Sequence, residues 1–158
     1  MGFSAAPSHD RIHKVIEVTA RTYTITPDQS GFTFIQNNVL GTEFTLPADT
    51  TEVGFHCKIV TKILVAPHGG LGRIFKITTG VDGQLMLGSV AIVGAGAKQD
   101  VFTANGSSHD NMLIDHPGEG GGAGMWFNCT LVGVDKWHIH GHAHVAGAGT
   151  PTNPWSNS

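Results

Sequence analysis

The sequence predicts an all-β fold: an antiparallel β-sandwich or jelly-roll-like barrel with extended N- and C-terminal arms. The chain has 158 residues, of which 22 are glycine and 13% are charged, and a charged share near 25% is usual. This composition argues against a coiled coil or a charged helix bundle. Windows of about twelve residues show no glycine-free apolar pattern at helical spacing, whereas short alternating runs separated by turn signals recur every 8–12 residues or so, as in sandwiches and barrels.

Each predicted strand ends at a residue with a physical reason to turn. Pro27 presets φ and Gly31 supplies positive φ after the first strands, and Pro47 stops a later strand because it cannot donate to the ladder. Residues 88–89 (Gly-Ser) separate two short apolar strands, and residues 133–135 form a tight turn before the last long strand. The predicted strands are 12–19, 22–26, 32–35, 42–46, 53–65, 73–79, 85–87, 90–93, 101–103, 111–114, 125–132 and 136–145.

Alternation along these strands assigns the core. Side chains two residues apart face the same side of a strand, so Cys57 joins its apolar neighbours on one face of 53–65. Cys129 lies on the apolar face of 125–132, and both cysteines are expected to be small, buried and reduced. The predicted core is Phe34, Phe44, Leu46, Phe55, Cys57, Ile59, Ile74, Ile77, Phe127, Cys129, Leu131 and Trp137.

The two ends differ from the body in composition. Residues 1–20 are expected to be an N-terminal arm, residues 21–146 the β-domain and residues 147–158 a C-terminal tail. Because a tryptophan in a tail is commonly ordered by a neighbour, Pro154 and Trp155 are expected to bind a partner chain. A tail that packs back on its own domain is the equal alternative.

The most distinctive segment carries four histidines at every second position. A strand places them on one face, with imidazoles about 6.5–7 Å apart. They could hold a divalent metal, completed by other chains around a symmetry axis, or they could form a wet polar face that lines a groove or subunit contact. No aspartate or glutamate follows Asp135, so a catalytic metal centre lacks a carboxylate here. The four residues are His138, His140, His142 and His144.

The sequence contains no convincing catalytic constellation, so no enzyme, no catalytic residue and no bound cofactor other than this metal is expected. Residues 107–110 (Ser-Ser-His-Asp) and 115–117 (Asp-His-Pro) place hydroxyl, base and acid near one another. Neighbours in sequence do not make a triad, and the Gly-x-Ser-x-Gly nucleophile elbow is absent from the sequence.

Charge and hydropathy also limit the partners. The formal net charge of −3 would not collect phosphates, so nucleic acid is not expected as a partner. No apolar stretch approaches the roughly 18 residues of a membrane helix. The N-terminus lacks the features of a signal peptide, so folding in a cytoplasm is expected.

Four segments together resemble the small β-domains of tailed bacteriophages. They are 26–31 (TPDQSG), 41–48 (GTEFTLPA), 53–55 (VGF) and 132–141 (VGVDKWHIHG). In that family a Ser-Gly then Phe-Thr-Leu-Pro hairpin opens the domain, and a Trp-strand-Gly hairpin closes it. The resemblance spans residues 22–146, and the histidine face departs from the family's mixed polar residues.

This resemblance implies a non-enzymatic structural protein of the virion. The leading hypothesis is a head decoration, or cement, protein that sits on the capsid surface between subunits of the major capsid protein. The resemblance further implies a homotrimer assembled in the host cytoplasm. The alternative is a receptor-binding or tail-fibre tip domain, and a histidine-rich metalloenzyme on a jelly roll is a third hypothesis.

Overall fold

The computed structural model describes residues 14–48, 53–63, 75–94, 98–114, 121–144 and 150–157, and no α-helix occurs among them. The strands are β1 (Val15–Val18), β2 (Thr22–Thr24), β3 (Thr33–Gln36), β4 (Glu43–Thr45), β5 (His56–Thr61), β6 (Phe75–Thr78), β7 (Leu85–Val93), β8 (Gln99–Asn105), β9 (Asn111–Ile114), β10 (Trp126–Gly133), β11 (Lys136–His144) and β12 (Trp155–Ser156). A short 3₁₀ turn lies at Pro27–Gln29. Within the described residues, no helix has the length and apolarity to cross a membrane.

The strands form two sheets that pack as two layers. The large sheet has seven strands in the order β1-β3-β5-β10-β11-β7-β8, and the small sheet has five in the order β12-β9-β6-β4-β2. The predicted all-β sandwich is therefore confirmed.

Strand pairing is mixed, which corrects the expectation of purely antiparallel sheets in a jelly-roll-like barrel. The first six strands alternate between the layers, so β1, β3 and β5 are parallel neighbours in the large sheet, and β2, β4 and β6 are parallel neighbours in the small sheet. Strands that are neighbours in a sheet but two apart in the chain run the same way, because the chain winds through both layers between them. Antiparallel hairpin pairing occurs where consecutive strands stay in one sheet, at β7–β8 and β10–β11.

The core lies between the layers and is crossed by a row of aromatic rings. Phe34 of the large sheet packs on Phe44 of the small sheet at 6.3 Å between ring centroids. Phe44 is 6.0 Å from Phe75, and Phe75 stacks at 5.3 Å on Phe127 of the large sheet. Every described residue of the predicted core is buried, and Ile74 lies outside the described residues. The alternation rule therefore identified the inner faces.

Both predicted end segments contribute strands to the sheets, so the expected boundaries of arm and tail are corrected. β1 begins at Val15, inside the expected 1–20 arm, and pairs with β3 because its apolar residues alternate toward the core. β12 lies inside the expected 147–158 tail and pairs with β9 in the small sheet. Residues 1–13 lie outside the described residues.

Candidate functional site

The histidine strand β11 presents one polar and one apolar face, as its period of two predicts. Trp137, Ile139 and Ala143 are fully buried. His138, His142 and His144 are half-buried and His140 is exposed on the opposite face. This face is the outer surface of the large sheet, named here the outer face.

Trp126 is the first residue of β10, the central strand of the large sheet, and lies on the outer face beside the histidines. Strand register places it between Val60 of β5 and His142 of β11. Its ring is 5.5 Å from the His140 ring in an edge-on arrangement, and the Lys58 Nζ lies 5.7 Å from its centroid. Sequence reasoning named the inward residues of this strand and missed Trp126, although the same alternation points it outward.

The outer face carries few charges. Among the described strand residues that point outward on this face, Glu17 carries the one carboxylate. It lies on the edge strand β1. The Lys62 Nζ binds its Oε1 at 2.8 Å. Hydrogen bonds donated by Lys62 and Asn37 hold the pKa of Glu17 below its ordinary value. The middle of the face is therefore neutral except for Lys58.

The outer face is large enough to serve as an interface. Its strands have from 4 to 9 residues, which at about 4.8 Å between strands and about 3.3 Å per residue gives an area of roughly 700 Å². A stable protein–protein interface buries about 800 Å² on each partner, with few charges and more aromatic residues in its centre. Exposed valines extend the face to its edge strands, at Val15 on β1 and Val101 on β8.

An open groove of about 510 Å³ lies on the same face, over β3, β5 and β10. The main chain of His56 is fixed there, because Gly31 N donates to its carbonyl at 2.6 Å and Ser30 Oγ accepts from its N–H at 3.3 Å. The groove thus combines aromatic, cationic and neutral polar groups. Its lining residues are Gly31, Phe32, Thr33, Gly54, His56, Cys57, Lys58, Asn128 and Thr130.

The expectation that Pro154 and Trp155 bind a partner chain is corrected, because both are buried in their own chain. Trp155 is 5% exposed, and its Nε1 donates to the Phe102 carbonyl at 3.1 Å. Leu113 N donates to the Pro154 carbonyl at 2.8 Å. The alternative left open by the sequence, a tail that packs back on its own domain, is what the structure has.

The histidines do not form a metal site within one chain. Among the described residues, no three His, Cys, Asp or Glu side chains come together as ligands of one ion. The rings of His142 and His144 have centroids 6.3 Å apart. A metal shared by His138, His140, His142 and His144 therefore depends on further chains and stays a prediction.

His109, weighed above as a possible base, has structural contacts. Its Nδ1 accepts a hydrogen bond from Asn105 N at 3.2 Å, and its ring stacks on Trp155 at 6.4 Å. These contacts join the β8–β9 loop to the C-terminal segment. Asp115 and His116 lie outside the described residues.

No model of a known protein family matches the chain, and no curated protein matches it significantly. The role of the chain therefore rests on the geometry of its own residues.

Proposed function

We propose that the chain is a non-enzymatic structural protein of a tailed-bacteriophage particle, and that the outer face attaches it to a neighbouring protein. One observation carries the proposal: Trp126 lies on the outer side of the central strand of a broad sheet face with few charges, flanked by His140 and Lys58. An aromatic anchor flanked by polar groups in a face with few charges is an arrangement that supplies much of the binding energy of protein–protein interfaces.

The partner proposed is the major capsid protein, and the location is the capsid surface. A decoration protein has to bind its partner over a broad area, through many contacts that are each weak. The roughly 700 Å² outer face suits that task. The sequence resemblance to phage β-domains supports the same assignment.

Assembly as a homotrimer is part of the proposal. The large sheet has two different edges, β1 and β8, each with an exposed valine, Val15 at 57% and Val101 at 61%. A cyclic trimer brings one edge of each chain beside the other edge of the next, which covers both. Light scattering at micromolar concentration should give three times the chain mass, and a stable monomer would contradict this step.

The experiment that tests attachment compares two single variants. Isolated heads that lack the chain are mixed with wild type, Trp126→Ala or Val39→Ser, and the bound fraction is measured after sedimentation. Val39 is a matched control because it is 58% exposed and lies outside the strands of both sheets. Trp126→Ala should weaken binding at least tenfold, as expected when a central anchor of more than about 1.4 kcal/mol is lost. Equal binding by all three proteins would contradict the proposal.

The groove favours a second candidate function, a receptor-binding or tail-fibre tip domain. Its volume lies within the usual range for ligand sites, about 300–1,000 Å³, and Lys58 and Asn128 supply donors beside the Phe32 ring. This candidate predicts that Lys58→Ala with Asn128→Ala abolishes adsorption of particles to host cells while the chain stays on the particle. Unchanged adsorption removes it.

A further inference from the structure

The two cysteines of the chain lie directly opposite each other in the middle of the large sheet. Cys57 of β5 is the register partner of Cys129 of β10. Both side chains point into the core, with exposures of 3% and 0%. The sequence places them far apart, and antiparallel pairing of β5 with β10 brings them together.

The hydrogen-bond ladder gives the kind of pair that they form. Leu131 N donates to the Phe55 carbonyl at 2.9 Å, and Thr61 N donates to the Met125 carbonyl at 2.9 Å. Each bond joins two residues that are register partners and that lie an even number of positions from the cysteines. Because hydrogen-bonded and non-hydrogen-bonded pairs alternate along an antiparallel ladder, the cysteines also occupy a hydrogen-bonded pair. Such pairs have Cα atoms about 5.5 Å apart, which is the usual Cα separation of disulfide-bonded cysteines, about 5.5–6 Å. Their Cβ atoms lie about 4.5–5.5 Å apart, so the bond, which needs about 3.5–4.5 Å, draws the two strands together by about 1 Å.

The thiols also contact each other. The pKa of Cys129 is raised well above its ordinary value, chiefly by its hydrogen bond with the Cys57 thiol and then by burial. Within the described residues neither cysteine belongs to a group of potential metal ligands. Two free thiols are therefore held against each other without another ligand in this part of the chain.

We propose that Cys57 and Cys129 are a disulfide site, and that the bond forms when the chain meets an oxidising thiol–disulfide environment. Cys57, the residue with the larger exposed fraction, attacks a low-molecular-weight disulfide such as glutathione disulfide and expels one glutathione thiolate. Cys129, after losing its proton, attacks the Cys57 sulfur of the mixed disulfide and expels the second. The two protein thiols lose two electrons and two protons, and one glutathione disulfide becomes two glutathiones.

The bond would lock the centre of the large sheet. It closes a loop of about 70 residues and joins β5 to β10 beneath the outer face, and a loop of that length gives a disulfide a large stabilising effect. Thiols stay reduced in a cytoplasm and oxidise outside it, so the bond would form only in a chain that is exposed to an oxidising environment. This inference does not depend on the proposed function.

The test measures how much the fold favours the bond. Wild type is equilibrated in glutathione buffers of stepped ratio, once folded and once in 8 M urea, then quenched in acid and alkylated. Intact mass gives the fraction that carries the bond. The equilibrium constant for forming the bond should be at least about 100-fold larger in the folded chain than in urea. A bond that the native structure accommodates stabilises the fold, and by linkage the fold stabilises the bond by the same free energy. An equal or smaller constant in the folded chain would overturn the proposal.

A register control separates geometry from the presence of two thiols. The double variant Cys57→Ala, Ile59→Cys keeps two core-facing thiols but moves one of them to the diagonal position, where the partner is about 7–8 Å away. Its folded-to-unfolded ratio should fall at least tenfold below that of wild type. A ratio equal to that of wild type would show that register does not matter. The wild-type comparison decides the proposal whether or not this variant folds.

Discussion

Gly88 in β7 should be intolerant of any side chain, and the structure gives the magnitude. Its φ is +115°, and an added Cβ would lie 2.0 Å from the carbonyl oxygen of Ile139 in β11. That oxygen belongs to the backbone of the histidine strand, so it cannot move aside without disturbing the longest pairing of the large sheet. Strained φ costs about 1–3 kcal/mol and overpacking about 1–3 kcal/mol, so Gly88→Ala should lower the free energy of unfolding by about 4 kcal/mol.

Gly83 provides the matched control. Its φ is +90°, but an added Cβ would meet nothing within 4 Å, so Gly83→Ala carries backbone strain without a clash and should cost about 1–3 kcal/mol. Urea denaturation of both variants measures the difference. At about 2–4 °C per kcal/mol for a chain of this size, Gly88→Ala should also melt about 8–16 °C lower than wild type. Equal losses in the two variants would refute the assigned clash with β11.

Further predictions concern the core, the C-terminal segment and the histidines. Phe127→Ala should cost about 3–5 kcal/mol by urea denaturation, because Phe127 is fully buried and stacks on Phe75. A loss below about 1 kcal/mol would mean a loosely packed core. Trp155→Ala should lower the melting temperature of the isolated chain, since Trp155 packs on its own domain; an unchanged melting temperature would contradict that docking. His140→Ala with His142→Ala should weaken binding to isolated heads in the sedimentation assay, since His140 packs edge-on against Trp126 and His142 is the register partner of Trp126. Binding equal to that of wild type would remove the two histidines from the attachment surface.

The faces of the strands could be predicted from the sequence because alternation is a local property. In β10 and β11 the predicted core residues Phe127, Cys129, Leu131 and Trp137 are buried, and Trp137 packs edge-on against Phe55 at 5.6 Å. The same rule places Trp126 and the histidines on the opposite face. To predict that Trp126 lies beside His140 also requires the register of β10 with β11. The pattern of a single strand does not contain that register.

The pairing of strands could not be predicted in the same way. Whether a turn returns the chain to the same sheet or carries it to the other layer depends on contacts between distant segments. Val15, Thr33 and Lys58 are register neighbours in the large sheet but are unevenly spaced along the chain, so the parallel winding leaves no fixed repeat. The Gly-Ser pair at residues 88–89 predicts a break between two strands, whereas β7 continues through both residues.

The outer face as the attachment surface is the central claim, and hydroxyl-radical footprinting tests it most directly. The chain is labelled free in solution and bound to isolated heads, and the oxidation of Trp126 is measured by mass spectrometry. Leu113 of the small sheet serves as the reference on the opposite layer. The account predicts that oxidation of Trp126 falls severalfold on attachment while that of Leu113 is unchanged. Unchanged oxidation of Trp126 together with protection of Leu113 would place the attachment surface on the small sheet and contradict the account.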